Sequence, residues 1–344
     1  MDTRVKNYNG IDLFKFFFAL CVVAIHVHPF NVEAEGAFSF FSFLNTILNT
    51  AVPFFFIANG FFMAGKMKTP LGAHENLSVV CNVLKKYVLL YVIWTAIYLP
   101  VTVYYYITAK MSPLAIAYNF MDGLLFTGEH WYSWSLWYLC ALIWAITMIA
   151  VLIKYKCSDK ILLIVSVALF VFAYIYGHFL SSLAYAPIQL FRTVFGPTGR
   201  QFTAPLYVMI GILLRRKSFS SITGGVFVLL GFACSPLFPS AGSGYYSEPS
   251  LLLLAVGVFI LALSFKLPNS KLFLFFRTSS MVLYFTHLLF YVFISLAFFG
   301  TMQDGLLMYG IVIAVCLIIS IPIFFLEQRK NRIVGLCFSG RWKN

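Results

Sequence analysis

Residues 13–30 read LFKFFFALCVVAIHVHPF. Apart from Lys15, His26 and His28 the run is apolar. As an α-helix it is long enough to cross a hydrocarbon core about 30 Å thick. Its apolar residues are continuous rather than alternating, which favours a helix over a strand of an outer-membrane barrel. A helix turns about 100° and rises about 1.5 Å per residue, so Lys15 and His26 share one face, about 16 Å apart along the axis. An ionisable group inside a span is a functional-site hypothesis by default. Two on one face, at different depths, predict a path from a charged-ligand site to a base.

Runs of this kind recur along the whole 344-residue chain. The spans expected are about ten: 13–30, 45–64, 84–107, 134–153, 161–180, 201–214, 222–238, 249–266, 279–299 and 306–326. Hydrophobic residues make up 61% of the chain, charged residues 10%, and the mean hydropathy is +0.90. A soluble domain carries about 25% charged residues, so that class is excluded. No polar linker separates the runs. The expected fold is an all-α integral membrane protein, one domain over residues 1–344. Span 201–214 is short, so it is expected to be tilted or partly re-entrant.

The formal charge of +13 would point to nucleic acid in a soluble protein. Its distribution points elsewhere. With the N-terminus inside, 21 of the 24 Lys and Arg residues fall on the inner side, Lys15 included. Only Lys110, Arg192 and Arg200 fall outside. That is the asymmetry of the positive-inside rule. Both termini are therefore expected to be cytoplasmic, with anionic lipid as partner and no nucleic acid. Arg4 and Lys6 precede an apolar run, as in a signal sequence, but Val27-His-Pro-Phe30 follows instead of a small-residue cleavage site. The run is read as an uncleaved first span. The seven cysteines are scattered without a close CxxC pair, so neither a zinc site nor a disulfide framework is expected.

The candidate site residues each have two readings. His26 is a base for a hydroxyl proton, or a structural histidine bonded to a neighbouring span. His28 lies about 200° around the helix from His26 and is expected to point elsewhere. Lys15 is a counter-charge for phosphate at the inner mouth, or a snorkelling lysine. Lys85, Lys86, Arg215, Arg216 and Arg277 join it there, or anchor the inner interface. Ser280, Tyr284, His287 and Tyr291 make a polar stripe on one helix face, which faces a wet cavity or bonds helices together. Asn59-Gly60 lies deep in an aromatic span, where Gly60 admits a close backbone and Asn59 needs a partner. Trp131, Tyr132, Trp134 and Trp137 form an aromatic belt or a platform for a glycan or headgroup. Arg192 and Arg200 orient an anionic acceptor, or pair with Asp122, Glu129 or Glu248. No nucleotide loop, HExxH or GxSxG is present.

Several of these stretches together resemble the acyltransferase type 3 family of multi-span bacterial proteins. Lys15-X10-His26 resembles its basic-X10-His signature, with Lys where Arg is usual. Pro53-Phe-Phe-Phe-Ile-Ala-Asn59-Gly60 resembles its Pro-x-Phe-Phe-x-x-Ser-Gly run, with Asn59 in the Ser position. Leu136-Trp137-Tyr138-Leu139 resembles its Leu-Trp-Phe/Tyr-Leu motif, with Ser135 where His is common. Tyr284-Phe-Thr-His287 resembles its late Tyr-x-x-His. A further likeness, through residues 10–15 and 200–205, is to the membrane domain of vancomycin-resistance serine racemases. No soluble racemase module is expected beside it.

The resemblance implies a multi-pass bacterial plasma-membrane O-acyltransferase. Its donor would be cytoplasmic acyl-CoA, acetyl-CoA above all, as co-substrate, with no tightly bound cofactor and no metal. Its acceptor would be a hydroxyl of an extracytoplasmic glycan or similar molecule. In that reading Lys15, Lys85, Lys86 and Arg215 hold donor phosphates. His26, with His287 and Tyr284, is catalytic. Arg200, Trp134 and Asn59 meet the acceptor. The alternative is transport of a small amino acid such as serine, without acyl chemistry.

Overall fold

The computed structural model describes residues 8–30, 40–238 and 246–340, the side chain of Phe41 excepted. The described residues form helices and turns, with no strand. The helices are α1 (Asn9–Val27), α2 (Phe40–Asn49), α3 (Ala51–Ala64), α4 (Glu75–Thr108), α5 (Pro113–Asp122), α6 (Trp137–Lys154) and α7 (Asp159–Ile175). They continue with α8 (Ala186–Phe195), α9 (Ala204–Arg216), α10 (Ser221–Cys234), α11 (Pro249–Ser264), α12 (Lys271–Phe299), α13 (Leu306–Gln328) and α14 (Arg332–Ser339). In hydrocarbon every backbone N–H and C=O must find a partner within the chain, which leaves helices as the form for solid apolar runs.

Among the described residues seven helical segments are long and apolar enough to cross a membrane: Asn9–Val27, Ser42–Ala64, Glu75–Thr108, Trp134–Lys154, Asp159–Leu180, Lys271–Phe299 and Leu306–Gln328. The other three expected spans coincide with shorter helices. Ser221–Leu237 and Pro249–Ser264 are apolar throughout. α9 has 13 residues, about 20 Å of rise, less than a full hydrocarbon core. Nine of those 13 are buried, so protein rather than lipid surrounds this short piece. The result is an all-α multi-pass membrane bundle, as a bacterial inner-membrane protein requires.

α3 sits at the centre, packed on α9, α11 and α1. Gly60 of α3 lies against the backbone of Val208, and Gly211 of α9 lies against the backbone of Ile57. A Cβ at either position would overlap a carbonyl, so the two helices touch main chain to main chain. α1 packs on α12, α12 on α13, α4 on α6 and α10 on α11. α13 turns Leu307, Ile318, Ile321 and Phe325 outward, as a lipid-facing helix does.

Basic groups collect at one end of the bundle. There Arg277 clasps buried Asp12 through Nε at 3.0 Å and Nη2 at 2.6 Å. Arg216 bonds Asp159 at 3.0 Å. At the opposite end lie Arg200, Glu129 and a contact of 3.3 Å between His28 and Asp304. The connections hold helices that the sequence does not announce. α5 falls inside the long connection 109–133, with Ser112 accepting from Ala115 N–H as its cap. α8 falls inside 181–200. α14 returns from the end of α13 to α4, where Trp94 Nε1 donates to the Cys337 carbonyl at 2.7 Å. Phe338 there contacts the rings of Trp94 and Phe285.

Candidate active site

α1 carries Lys15 and His26 on one unbroken helix, as their spacing requires. The second half of α1 forms a wall of a cavity of about 240 Å³. Val22, Ile25, His26 and His28 line it from α1, Val52 and Phe55 from α3, and Tyr284 from α12. The start of α6 and the turn before it supply Trp134, Ser135, Trp137 and Tyr138. Glu129, Arg200 and Tyr246 complete the lining. These groups belong to the end of the bundle opposite the basic cluster. Lys15 is not among them.

His28 belongs to this cavity, contrary to the expectation from helical periodicity. α1 stops at Val27, and His28 takes a left-handed conformation, φ 44°, that accompanies the helix end. The 100° step no longer applies past that point.

His287 lies beside His26, with ring centroids 5.3 Å apart. It is fully buried. Its Nδ1 meets two carbonyls of its own helix, Leu283 at 2.7 Å and Tyr284 at 3.1 Å. Carbonyls only accept, so Nδ1 carries the proton and Nε2 holds the lone pair. Nε2 has no hydrogen-bond partner among the described residues. Tyr284 Oη donates to the Ser135 carbonyl at 2.9 Å, which ties α12 to the turn before α6.

Arg200 pairs with Glu129, one of its three anticipated partners. Its guanidinium lies 4.2 Å from the centroid of Trp137. On Trp137 also stacks Tyr246, 5.2 Å away at 16°. A cation over an indole face is held by the ring quadrupole, most strongly when desolvated. Arg200 is only 14% exposed at the side chain. Tyr207 Oη donates to the Tyr246 carbonyl at 2.7 Å and fixes that side of the cavity. Burial pushes the Tyr246 hydroxyl up to about 12. Two residues on, burial pushes the Glu248 carboxyl up to about 8, so it is largely neutral at pH 7. In the loop that carries Glu129, burial depresses His130 to about 4.

Asn59 does not line the cavity. It stands one hydrogen bond behind it, donating to Tyr138 Oη at 2.6 Å. The candidates for donor phosphate gather at the basic end. Lys15 Nζ is 4.5 Å from the Phe62 centroid, within electrostatic reach of Asp12, Arg277 and Lys86. Arg215 lies over the neighbouring Phe61 at 5.0 Å and donates to Tyr8 Oη. Lys86 lies 5.2 Å from the Tyr87 centroid. Lys85, the residue before it on α4, is exposed. All seven cysteines are free, and no cluster of three or more His, Cys, Asp or Glu among the described residues is arranged to hold a metal.

Tyr138, part of a motif with no assigned role, escapes a reading of the sequence as a site. Trp137 is read there only as a belt aromatic or a glycan or headgroup platform, not as the partner of Arg200. The only signal for either is the run 134–138 itself, where polar and aromatic residues crowd the outer end of a span.

A family model described as an acyltransferase domain matches residues 8–325. An amino-acid racemase of Enterococcus faecalis is 32% identical over 168 residues, 48% of this chain and 21% of that protein. A serine/alanine racemase of Enterococcus gallinarum is 27% identical over 222 residues, 62% of this chain and 30% of that protein. The chain thus spans less than a third of the length of these relatives. No solved structure matches it.

Proposed function

We infer the function from one premise: the chain belongs to the acyltransferase domain family and is a multi-pass membrane enzyme of the O-acyltransferase type. We propose that it is a single ten-span domain with both termini cytoplasmic. It moves an acetyl group from cytoplasmic acetyl-CoA to a hydroxyl of an extracytoplasmic acceptor, a cell-envelope glycan in the first instance. The observation that carries this reading is the arrangement along α1. His26 faces a cavity at one end of the bundle, while Lys15, with Arg215 and Lys86 close by, sits at the other.

In this reading the CoA phosphates rest near Lys15, Arg215 and Lys86, with Lys85 at the rim. The pantetheine arm threads along α1 toward His26. His26 takes the proton of the acceptor hydroxyl as its oxygen adds to the thioester carbonyl carbon. The tetrahedral intermediate then collapses, the carbon–sulfur bond breaks, and the proton passes to the leaving thiolate. Products are the acetyl ester and CoA thiol. His287 Nε2, a lone-pair nitrogen without a described partner, would accept from a protonated or N–H-bearing His26 and so orient it; the closeness of the two rings supports this. Tyr284 anchors the cavity floor. Arg200 and Trp134, with Trp137 and Tyr246, form the acceptor wall, where flat rings suit the apolar face of a sugar.

Proteoliposomes containing the full chain test this. Labelled acetyl should appear on the acceptor, with one CoA thiol released per ester. The racemase relatives favour a second reading, transport of an amino acid such as serine. Labelled serine uptake that proceeds without acyl-CoA would support that reading and overturn acyl transfer.

A further inference from the structure

Asn59 lies between two tyrosines, Tyr87 of α4 and Tyr138 of α6. Its Nδ2 is 2.9 Å from the Phe55 carbonyl, one turn back on α3, and 2.6 Å from Tyr138 Oη. A backbone carbonyl can only accept, so the amide nitrogen must occupy that side and the orientation of the amide is determined. Oδ1, on the other side, accepts from Tyr87 Oη. Tyr138 Oη is therefore an acceptor toward Asn59, and its own proton must point away from it. Among the described residues Tyr138 Oη makes no other hydrogen bond. Its side chain lines the cavity that also holds His26. A neutral O–H on the cavity wall, its oxygen held by Asn59, meets the requirement for an oxyanion donor. Such a donor strengthens its bond as charge develops and needs no reorganisation.

We propose that Tyr138 donates its hydroxyl proton in a hydrogen bond to the thioester carbonyl oxygen as that oxygen gains charge, and that Asn59 is the positioning residue that aims it. This rests on the acyl-transfer reading above. An attacking oxygen adds to the carbonyl carbon and gives its proton to His26, and the carbonyl π pair moves onto the oxygen held by Tyr138. The pair then returns, the carbon–sulfur bond breaks, and the thiolate takes the proton from His26. Tyr138 keeps its own proton throughout. Tyr87 locks Oδ1 of Asn59, so the line of hydrogen bonds runs from α4 through α3 to the cavity.

Water serves as attacking oxygen in the test, so no acceptor need be known. The full chain in proteoliposomes is given acetyl-CoA, and thiol release is followed under single-turnover conditions. Tyr138→Phe should slow release by about 10²–10³-fold. Its acetyl-CoA affinity and thermal unfolding should match the wild type. Asn59→Asp places a carboxylate where it captures the Tyr138 proton, so it should show a comparable rate loss. The double variant should be no slower than the slower single one. A wild type that releases no thiol above empty liposomes overturns acyl transfer and this role with it. A wild type that turns over alongside an equally fast Tyr138→Phe overturns the role of Tyr138 alone. If Asn59→Asp fails to fold, Tyr138→Phe by itself decides the matter.

Discussion

The imidazoles of His26 and His287 lie 5.3 Å apart, centroid to centroid, the first on the opening helix and the second on the last but two. Two backbone carbonyls pin the proton of His287 on Nδ1. The pair is thus asymmetric, with one ring fixed in its tautomer and the other facing the cavity. Replacing His26 by Gln keeps a polar group of similar reach but removes the base. Acetyl transfer should fall by about 10²–10⁴-fold. His287→Gln, which retains one donor and one acceptor, should cost less. Labelled acetyl transfer by the two variants gives that order directly, and the reverse order would remove His26 from the role of base.

Lys15→Met removes a cation at the basic end and leaves the helix intact. A hydrogen bond to a charged group contributes about 1.5–3 kcal/mol. The KM for acetyl-CoA should therefore rise by roughly tenfold or more, with kcat little changed. Arg215→Gln should act in the same direction. A KM that stays put in both variants would mean the donor enters elsewhere.

Much of this architecture is readable from the chain, and the exceptions have physical causes. Solid apolar runs such as 13–30 announce themselves because lipid admits little else, and each expected span has a helix beneath it. The run 45–64 is nonetheless divided at Thr50, between α2 and α3. The short helices α5, α8 and α14 are amphipathic pieces of two to three turns, whose pattern is too brief to stand out among turn formers. At the site, Lys15 and His26 are legible because both stay on one regular helix. His28 is not, because its direction is set by a left-handed backbone after the helix ends. Nor is Tyr138, because its role depends on which way an amide on another helix points. That is decided by a carbonyl of Phe55 and a hydroxyl of Tyr87.

Arg200→Gln removes the cation stacked on Trp137 and leaves Glu129 without its partner. The pair is partly exposed, so the loss should be moderate, about 1–2 kcal/mol of stability, below the range for fully buried pairs. The larger effect should fall on acceptor KM. Kinetics with a fixed concentration of acetyl-CoA and varied acceptor separate the two.

Glu248 should make stability depend on pH. Burial raises its carboxyl from about 4.5 in the unfolded chain to about 8 in the folded one. Between those values the folded state holds a proton that the unfolded state has released. Its contribution is full below about pH 4.5 and is lost as pH rises toward 8. Glu248→Gln cannot ionise, so the gap in unfolding temperature between it and the wild type should shift in favour of the variant across that window. Thermal unfolding of both at pH 5 and pH 8 checks the sign.

Gly60→Ala puts a methyl group into the Val208 carbonyl. Overpacking of this kind costs about 1–3 kcal/mol. Unfolding should come several degrees earlier, and catalysis should suffer as α3 shifts and carries Asn59 with it. Ala at Gly225, which has open space around it, is the control and should be silent.

The glycine contacts of α3 with α9 carry a mechanical consequence. Helices meshed at the main chain cannot slide or part by small amounts, since no flexible side chains lie between them to absorb the motion. Val52, Phe55 and Asn59 ride on one member of that seam, and Arg200 sits just ahead of the other. Part of the cavity wall is thus bolted to a common beam. Entry and exit must come from groups hinged elsewhere, with the α3–α9 seam as the part of the machine that stays still.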